Sequence, residues 1–192
     1  MPVLRFAYAL ALALWLGGMI VLGAIVAPSL FSTLGALDPA TGRAVAGEAF
    51  GAVLVRFHYL AYAAGAVLLV TLAGMALLGP RPRSFAIRMA IVALMLGVAG
   101  YSGVIVLGEI DGIQREIAAT AEPSAPPTSA ASGHSPARRV VTSARRTPSS
   151  LPAGDPRRVR FDQLHVLSTR LMMFNIIGAL LLLLREAIDS SR

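Results

Sequence analysis

This sequence predicts an all-α fold, a bundle of four transmembrane helices, on three observations. Of its 192 residues, 56% are hydrophobic and only 14% are charged, where a soluble domain carries roughly 25%. Mean hydropathy is +0.70. Four stretches are free or almost free of charge over about 20 residues, the length a helix needs to cross the hydrocarbon. A spanning segment has no water to satisfy its backbone and so folds as a helix. Cysteine is absent, which excludes a disulfide scaffold and a cysteine zinc site.

The first span runs from Phe6 to Ala27 without a charge. It is longer than the roughly 7–15 apolar residues of a secretory signal, so it is expected to be a retained helix, ended by Pro28. Asp38 and Pro39 read as an N-cap followed by proline at the first helical position. They would open a short interfacial helix that runs to Phe50 and leads into span two, Phe57 to Leu78. A tight basic loop, Pro80-Arg81-Pro82-Arg83, precedes span three, Met89 to Leu107. Glu109 to Glu116 are expected to carry that helix into water. From Ile117 to Pro156 the chain is rich in Pro, Ser, Ala and Arg and is expected to be disordered, since it cannot bury enough apolar surface to offset its ordering entropy. Span four, Leu164 to Leu184, carries one charge, Arg170. The whole chain reads as a single integral membrane domain.

Within lipid, helices associate through close packing of small residues. Span one offers Ala9, Ala13, Gly17 and Ala24; span two, Ala61 and Gly65; span three, Ala90, Ala93, Gly97 and Gly100. These stripes are expected to be contact faces. Trp15 lies mid-span rather than at the interface where Trp is enriched, and is expected to pack against a neighbouring helix.

The net charge is +7, and all 17 basic residues are Arg. Arg-only, Ala-rich usage points to a GC-rich bacterial genome. Most of the positive charge lies in the Ile117–Arg160 stretch, with seven Arg against Glu122 and Asp155. A specific nucleic-acid interface needs a folded basic face, so the insert is expected to be a solvated, passive segment, with anionic lipid as the alternative contact of its Arg pairs. Arginines near the two membrane faces are equal in number. The tight loop-two cluster favours cytoplasmic termini under the positive-inside rule, in a cell (inner or plasma) membrane.

Four crossings bring the start of helix two, the end of helix three and the start of helix four to one face. Their polar residues, Arg56, His58, Glu109, Asp162, His165, Ser168 and Arg170, form the candidate site, together with Asn175 deeper in span four. His165, Ser168, Met172 and Asn175 follow a 3-4-3 spacing and so share a helix face. A buried amide at Asn175 needs a partner, so that face is expected to point inward. Arg170 is expected to snorkel or to pair with Glu109. His58 and His165 are the weak candidates for metal or haem ligation; that alternative would make the chain a haem- or metal-binding membrane protein of the copper-resistance type. No dinucleotide-binding glycine pattern, phosphate loop, nucleophile elbow or zinc-protease motif occurs. The expectation is a protein that is not an enzyme and holds no cofactor.

The sequence resembles the transmembrane protein 205-like family of small four-helix membrane proteins. Trp15-Leu16-Gly17-Gly18 and Ala27-Pro28-Ser29-Leu30-Phe31 carry the likeness at the first helix, and Phe50 to Tyr59 at the second. Phe161-Asp162-Gln163-Leu164-His165-Val166-Leu167-Ser168 carries it at the last, where it is similar to that family's F-x-x-L-H-x-L-S pattern. Asparagine soon after the serine is replaced here by Arg170 and Leu171, with Asn175 coming later. The resemblance implies a scaffold or a solute- or stress-resistance component, since a eukaryotic relative is associated with platinum-drug resistance. It assigns His165 and Ser168 to the motif. A transport reading would need a homo-oligomer or a membrane partner, because four helices with few intramembrane charges are thin for a self-contained transporter.

Overall fold

The computed structural model describes residues 2–39, 41–78, 84–120 and 148–190. Four long helices account for nearly all of them: α1 (Pro2–Leu37), α2 (Gly42–Leu78), α3 (Phe85–Ile117, its last turn reaching Thr120) and α4 (Pro156–Asp189). Each is long and apolar enough to cross a membrane. At 1.5 Å per residue, helices of 33–37 residues are about 50–55 Å long against a hydrocarbon layer of about 30 Å. Every helix therefore projects well beyond the lipid.

That excess length moves several expected boundaries. Pro28 does not end α1. A wide turn at Leu22–Val26, closed by the Ala27 N–H on the Leu22 carbonyl, directly precedes it. The extra residue in that turn lets the helix pass a proline that cannot donate a hydrogen bond. The expected interfacial helix is not separate; it forms the first turns of α2. Asp38 both closes α1 and caps α2: its N–H bonds the Leu34 carbonyl at 3.1 Å, its own carbonyl accepts the Gly42 N–H at 2.7 Å, and its carboxylate accepts the Thr41 backbone N–H and hydroxyl. A second Asp-Pro pair, Asp155-Pro156, starts α4. There Asp155 Oδ1 accepts the Arg157 N–H at 2.9 Å, an N-cap with proline at the first helical position.

The four helices form a closed antiparallel ring in chain order, with α1 against α2 and α4, and α3 against α2 and α4. Large side chains fill the centre: Tyr8, Leu12, Trp15, Leu68, Leu72, Val92, Met95 and Leu182 are all at most 1% exposed. Ala61 and Gly65 are buried as expected, and Trp15 packs where a Cβ on Gly65 would stand, 2.9 Å away. The stripes on α1 and α3 point the other way. Ala9, Ala13, Ala24, Ala90, Ala93 and Gly97 are exposed, and nothing lies within 4 Å of a Cβ added at Gly17, Gly97 or Gly100. Bulky residues took the inward face because they fill the ring and the small ones would leave it hollow.

Two ends result. The rim gathers the end of α1, the start of α2, the end of α3 and the start of α4; the terminal end gathers the rest. Beyond the lipid at the rim, Val106, Ile113, Ile117 and Leu164 make a second small core between α3 and α4. The described edges of the expected 117–156 insert join it. Residues up to Thr120 are helical and Leu151 packs on this core, while Arg158 donates to the Leu151 carbonyl at 2.6 Å. Residues 121–147 of that insert lie outside the described residues.

Candidate functional site

The most enclosed polar group stands at the terminal end. Arg88, on the first turn of α3, is 2% exposed. Its guanidinium is held by Glu186, and by Asp189 at 2.9 Å, both from the last turns of α4. Ser84 precedes α3 but does not cap it with its side chain. Its hydroxyl accepts from Arg88 Nε at 3.3 Å and donates to Asp189 at 3.3 Å. The Tyr8 ring of α1 lies under the guanidinium, 5.7 Å from Cζ to its centroid, a cation–π contact. The Tyr8 hydroxyl is buried with no hydrogen-bond partner. The carboxylates are about a third exposed (30% and 31%), so water reaches their outer edge and not the arginine. Chemically this is a rivet, one guanidinium shared by two carboxylates, that joins α3 to α4 and rests on α1. An unpaired arginine at that depth would be costly.

Sequence reasoning missed this cluster because Arg88 reads as one more loop arginine next to an apolar span. A signal was present: Glu186 and Asp189 stand three apart, hence on one face of α4, at the end that the crossing order places beside Arg88.

The residues expected to converge at the rim are spread around it. Arg56 is exposed and its guanidinium bonds its own helix at Ala52. His58 is half-buried, with Nδ1 on the Leu54 carbonyl at 2.8 Å. Its ring meets Tyr62 edge-on and both lie over Gly103 of α3. Tyr62 donates to the Ala99 carbonyl at 3.3 Å, tying α2 to α3. Glu109 pairs with Arg160 at 2.6 Å, not with Arg170. Arg170 is exposed and lines a shallow depression on α4 with Asp162 and Gln163. Ser168 donates to the His165 carbonyl in its own helix at 3.0 Å.

His165 does not share the inward face. It is exposed and stacks on Phe161 at 6.5 Å, while Leu164 takes the inward position at 3% exposure. Apolar burial against Val106 and Ile113 set the rotation of α4. His58 thus faces α3, and His165 sits on the outer face of α4. Among the described residues no group of three or more His, Asp or Glu side chains could hold a metal ion, and the metal- or haem-binding alternative has no support here. Asn175 is buried as expected, at 5% exposure, but its Oδ1 has no hydrogen-bond partner among the described residues.

Outside the lipid, Asp155 is, among the described residues, the carboxylate whose titration is shifted. Hydrogen bonds from the Arg157 side chain and backbone hold its carboxyl below the usual aspartate value.

A family model described as a domain of unknown function (DUF4149) matches residues 10–118, more than half of the chain, from α1 to the end of α3. No curated protein and no solved structure matches it.

Proposed function

We propose that this chain, which belongs to the DUF4149 family, is a non-enzymatic multi-pass membrane scaffold that works by associating with another membrane protein or a second copy of itself. The observation that carries this reading is the state of Arg88. The one buried charged residue among the described residues is engaged by two carboxylates and a tyrosine ring, and so serves helix joining and not a reaction. The exposed Ala13, Ala93 and Gly97 and the half-buried Gly17 are of the kind that lets helices approach closely in lipid. Exposed Arg170 makes no hydrogen bond among the described residues, and an unpaired charge near lipid favours a partner.

The resemblance to the transmembrane protein 205-like family supports a role in solute or stress resistance, exercised through such an assembly. The Arg-rich segment would add contact with anionic lipid. Arg5 and Arg185 beside the Arg81–Arg83 loop favour cytoplasmic termini in the inner or plasma membrane.

The test uses the absence of native cysteine. Single cysteines at Ala13 and at Ala93 are cross-linked in native membranes at native expression level. A discrete cross-linked species from either position is expected; monomer alone from both would overturn the scaffold reading.

A further inference from the structure

Inward positions recur along the chain at constant separations. Tyr8, Leu12, Trp15 and Met19 of α1 are matched by Arg88, Val92, Met95 and Ala99 of α3, each 80 positions on, and all eight are buried. The wide turns follow the same spacing to within one residue, Leu22–Val26 and Tyr101–Val106. Ala61, Ala64, Gly65 and Leu68 of α2 are matched by Asn175, Gly178, Ala179 and Leu182 of α4, each 114 positions on and again all buried.

Contacts between the halves obey both spacings at once. A Cβ on Gly23 of α1 would stand 3.4 Å from the Met172 methyl of α4; a Cβ on Gly103 of α3 would strike His58 and Tyr62 of α2. Gly103 is the counterpart of Gly23, and Met172 that of His58. The same glycine-on-side-chain contact is made twice, with the halves exchanged.

We infer that the bundle is one helical hairpin used twice, α1–α2 and α3–α4 about a pseudo-two-fold axis along the bundle, and that the hairpins pivot at the terminal end so that the rim opens to Asn175. At the terminal end the chain itself runs from α2 into α3, and Arg88, fixed on α4 within its own hairpin, rests on Tyr8 of the other one. At the rim, among the described residues, the halves meet through two glycines and a side-chain hydrogen bond, Tyr62 to the Ala99 carbonyl, with no chain link between them there. Farther out, each hairpin packs within itself: Phe31 meets Phe50, and Ile113 and Ile117 meet Leu164. One end is pinned and the other is lightly held.

Asn175 stands at the counterpart of Ala61, just below the rim contacts, with its carbonyl oxygen unsatisfied. The closed arrangement penalises that group, and opening that admits water or another small hydrogen-bond donor relieves it. Two arrangements close in free energy are the outcome. Repeats related by an axis along the membrane normal, with a polar group at their interface, are a known basis for such movement.

The experiment places nitroxide pairs on the cysteine-free chain in nanodiscs and measures distances by pulsed electron resonance. The rim pair is Val55 and Val166, the terminal pair Leu78 and Leu184, all exposed. The rim distribution is expected to be bimodal, or at least twice as wide as the terminal one. Asn175→Leu is expected to collapse the rim distribution onto its shorter component and to leave the terminal pair unchanged. A rim distribution as narrow as the terminal one overturns the pivot, and an unchanged rim distribution in Asn175→Leu overturns the role of Asn175. If that variant fails to fold, the unsubstituted chain decides the pivot and Asn175→Ala decides the amide.

Discussion

Tyr8 and Arg88 occupy equivalent inward positions on α1 and α3, and the guanidinium carbon stands over the phenol ring, 5.7 Å from its centroid. The phenol hydroxyl has no hydrogen-bond partner among the described residues. An unsatisfied buried hydroxyl costs on the order of 1–3 kcal/mol. Tyr8→Phe keeps the ring under Arg88 and removes that cost, so it is expected to be neutral or to raise the unfolding midpoint in detergent. Tyr8→Ala removes the ring and is expected to cost roughly 3–5 kcal/mol.

Arg88→Ala leaves Glu186 and Asp189 facing an apolar end of the bundle. Because those carboxylates are partly exposed, the loss is expected at about 2–3 kcal/mol, below the 3–5 kcal/mol of a fully buried pair. Arg88→Lys is expected to recover only part of it, since an ammonium cannot span two carboxylates as a planar fork does. By contrast Arg160→Ala, breaking an exposed pair with Glu109, is expected to cost less than about 1 kcal/mol. Thermal unfolding of the three variants side by side checks the order.

Gly42 starts α2 against the turn of α1, where a Cβ would lie 1.8 Å from the Leu34 carbonyl oxygen. Backbone cannot yield as a side-chain tip can, so Gly42→Ala is expected to open the α1–α2 turn and destabilise by more than roughly 1 kcal/mol. Gly51, three turns farther along α2, has nothing within 4 Å. Gly51→Ala is expected to be neutral or stabilising through helix propensity, by up to about 1 kcal/mol. Equal effects at the two sites would count against the close approach at Gly42.

Asp155 caps α4 from outside the lipid. Its folded value is depressed, so its contribution to stability is fully present above the unfolded aspartate value near 3.9. It is lost as pH falls through the lower folded value. Carbon-13 NMR of the Asp155 carboxyl is expected to give a midpoint below that of an exposed aspartate, and Arg157→Gln to bring it back up. A midpoint unmoved by that substitution would show that the Arg157 side chain is not the cause.

The four spans were legible because composition alone separates lipid-facing helices from everything else, and the burial of Asn175 followed from its depth and helical phase. The ends were not legible. Helices projecting past the hydrocarbon carry charges that read as loop, and the wide turn before Pro28 follows from no local residue pattern. The outward stripes of α1 and α3 failed for a different reason: small residues announce close approach without saying to what, and within this chain the approach is claimed by Tyr8, Trp15 and Met95. The candidate site failed at His165, where one step of helical phase set an imidazole outside and Leu164 inside.

The grip on Arg88 has a consequence for how the protein is made. Glu186 and Asp189 leave the ribosome about a hundred residues after Arg88, some five to twenty seconds later at typical synthesis rates. While α3 is entering the bilayer its arginine is still an uncompensated cation, of the kind that biases which side a short loop occupies. Only when α4 arrives is the same side chain neutralised and enclosed. One residue thus serves first as an address label and then as a fastening.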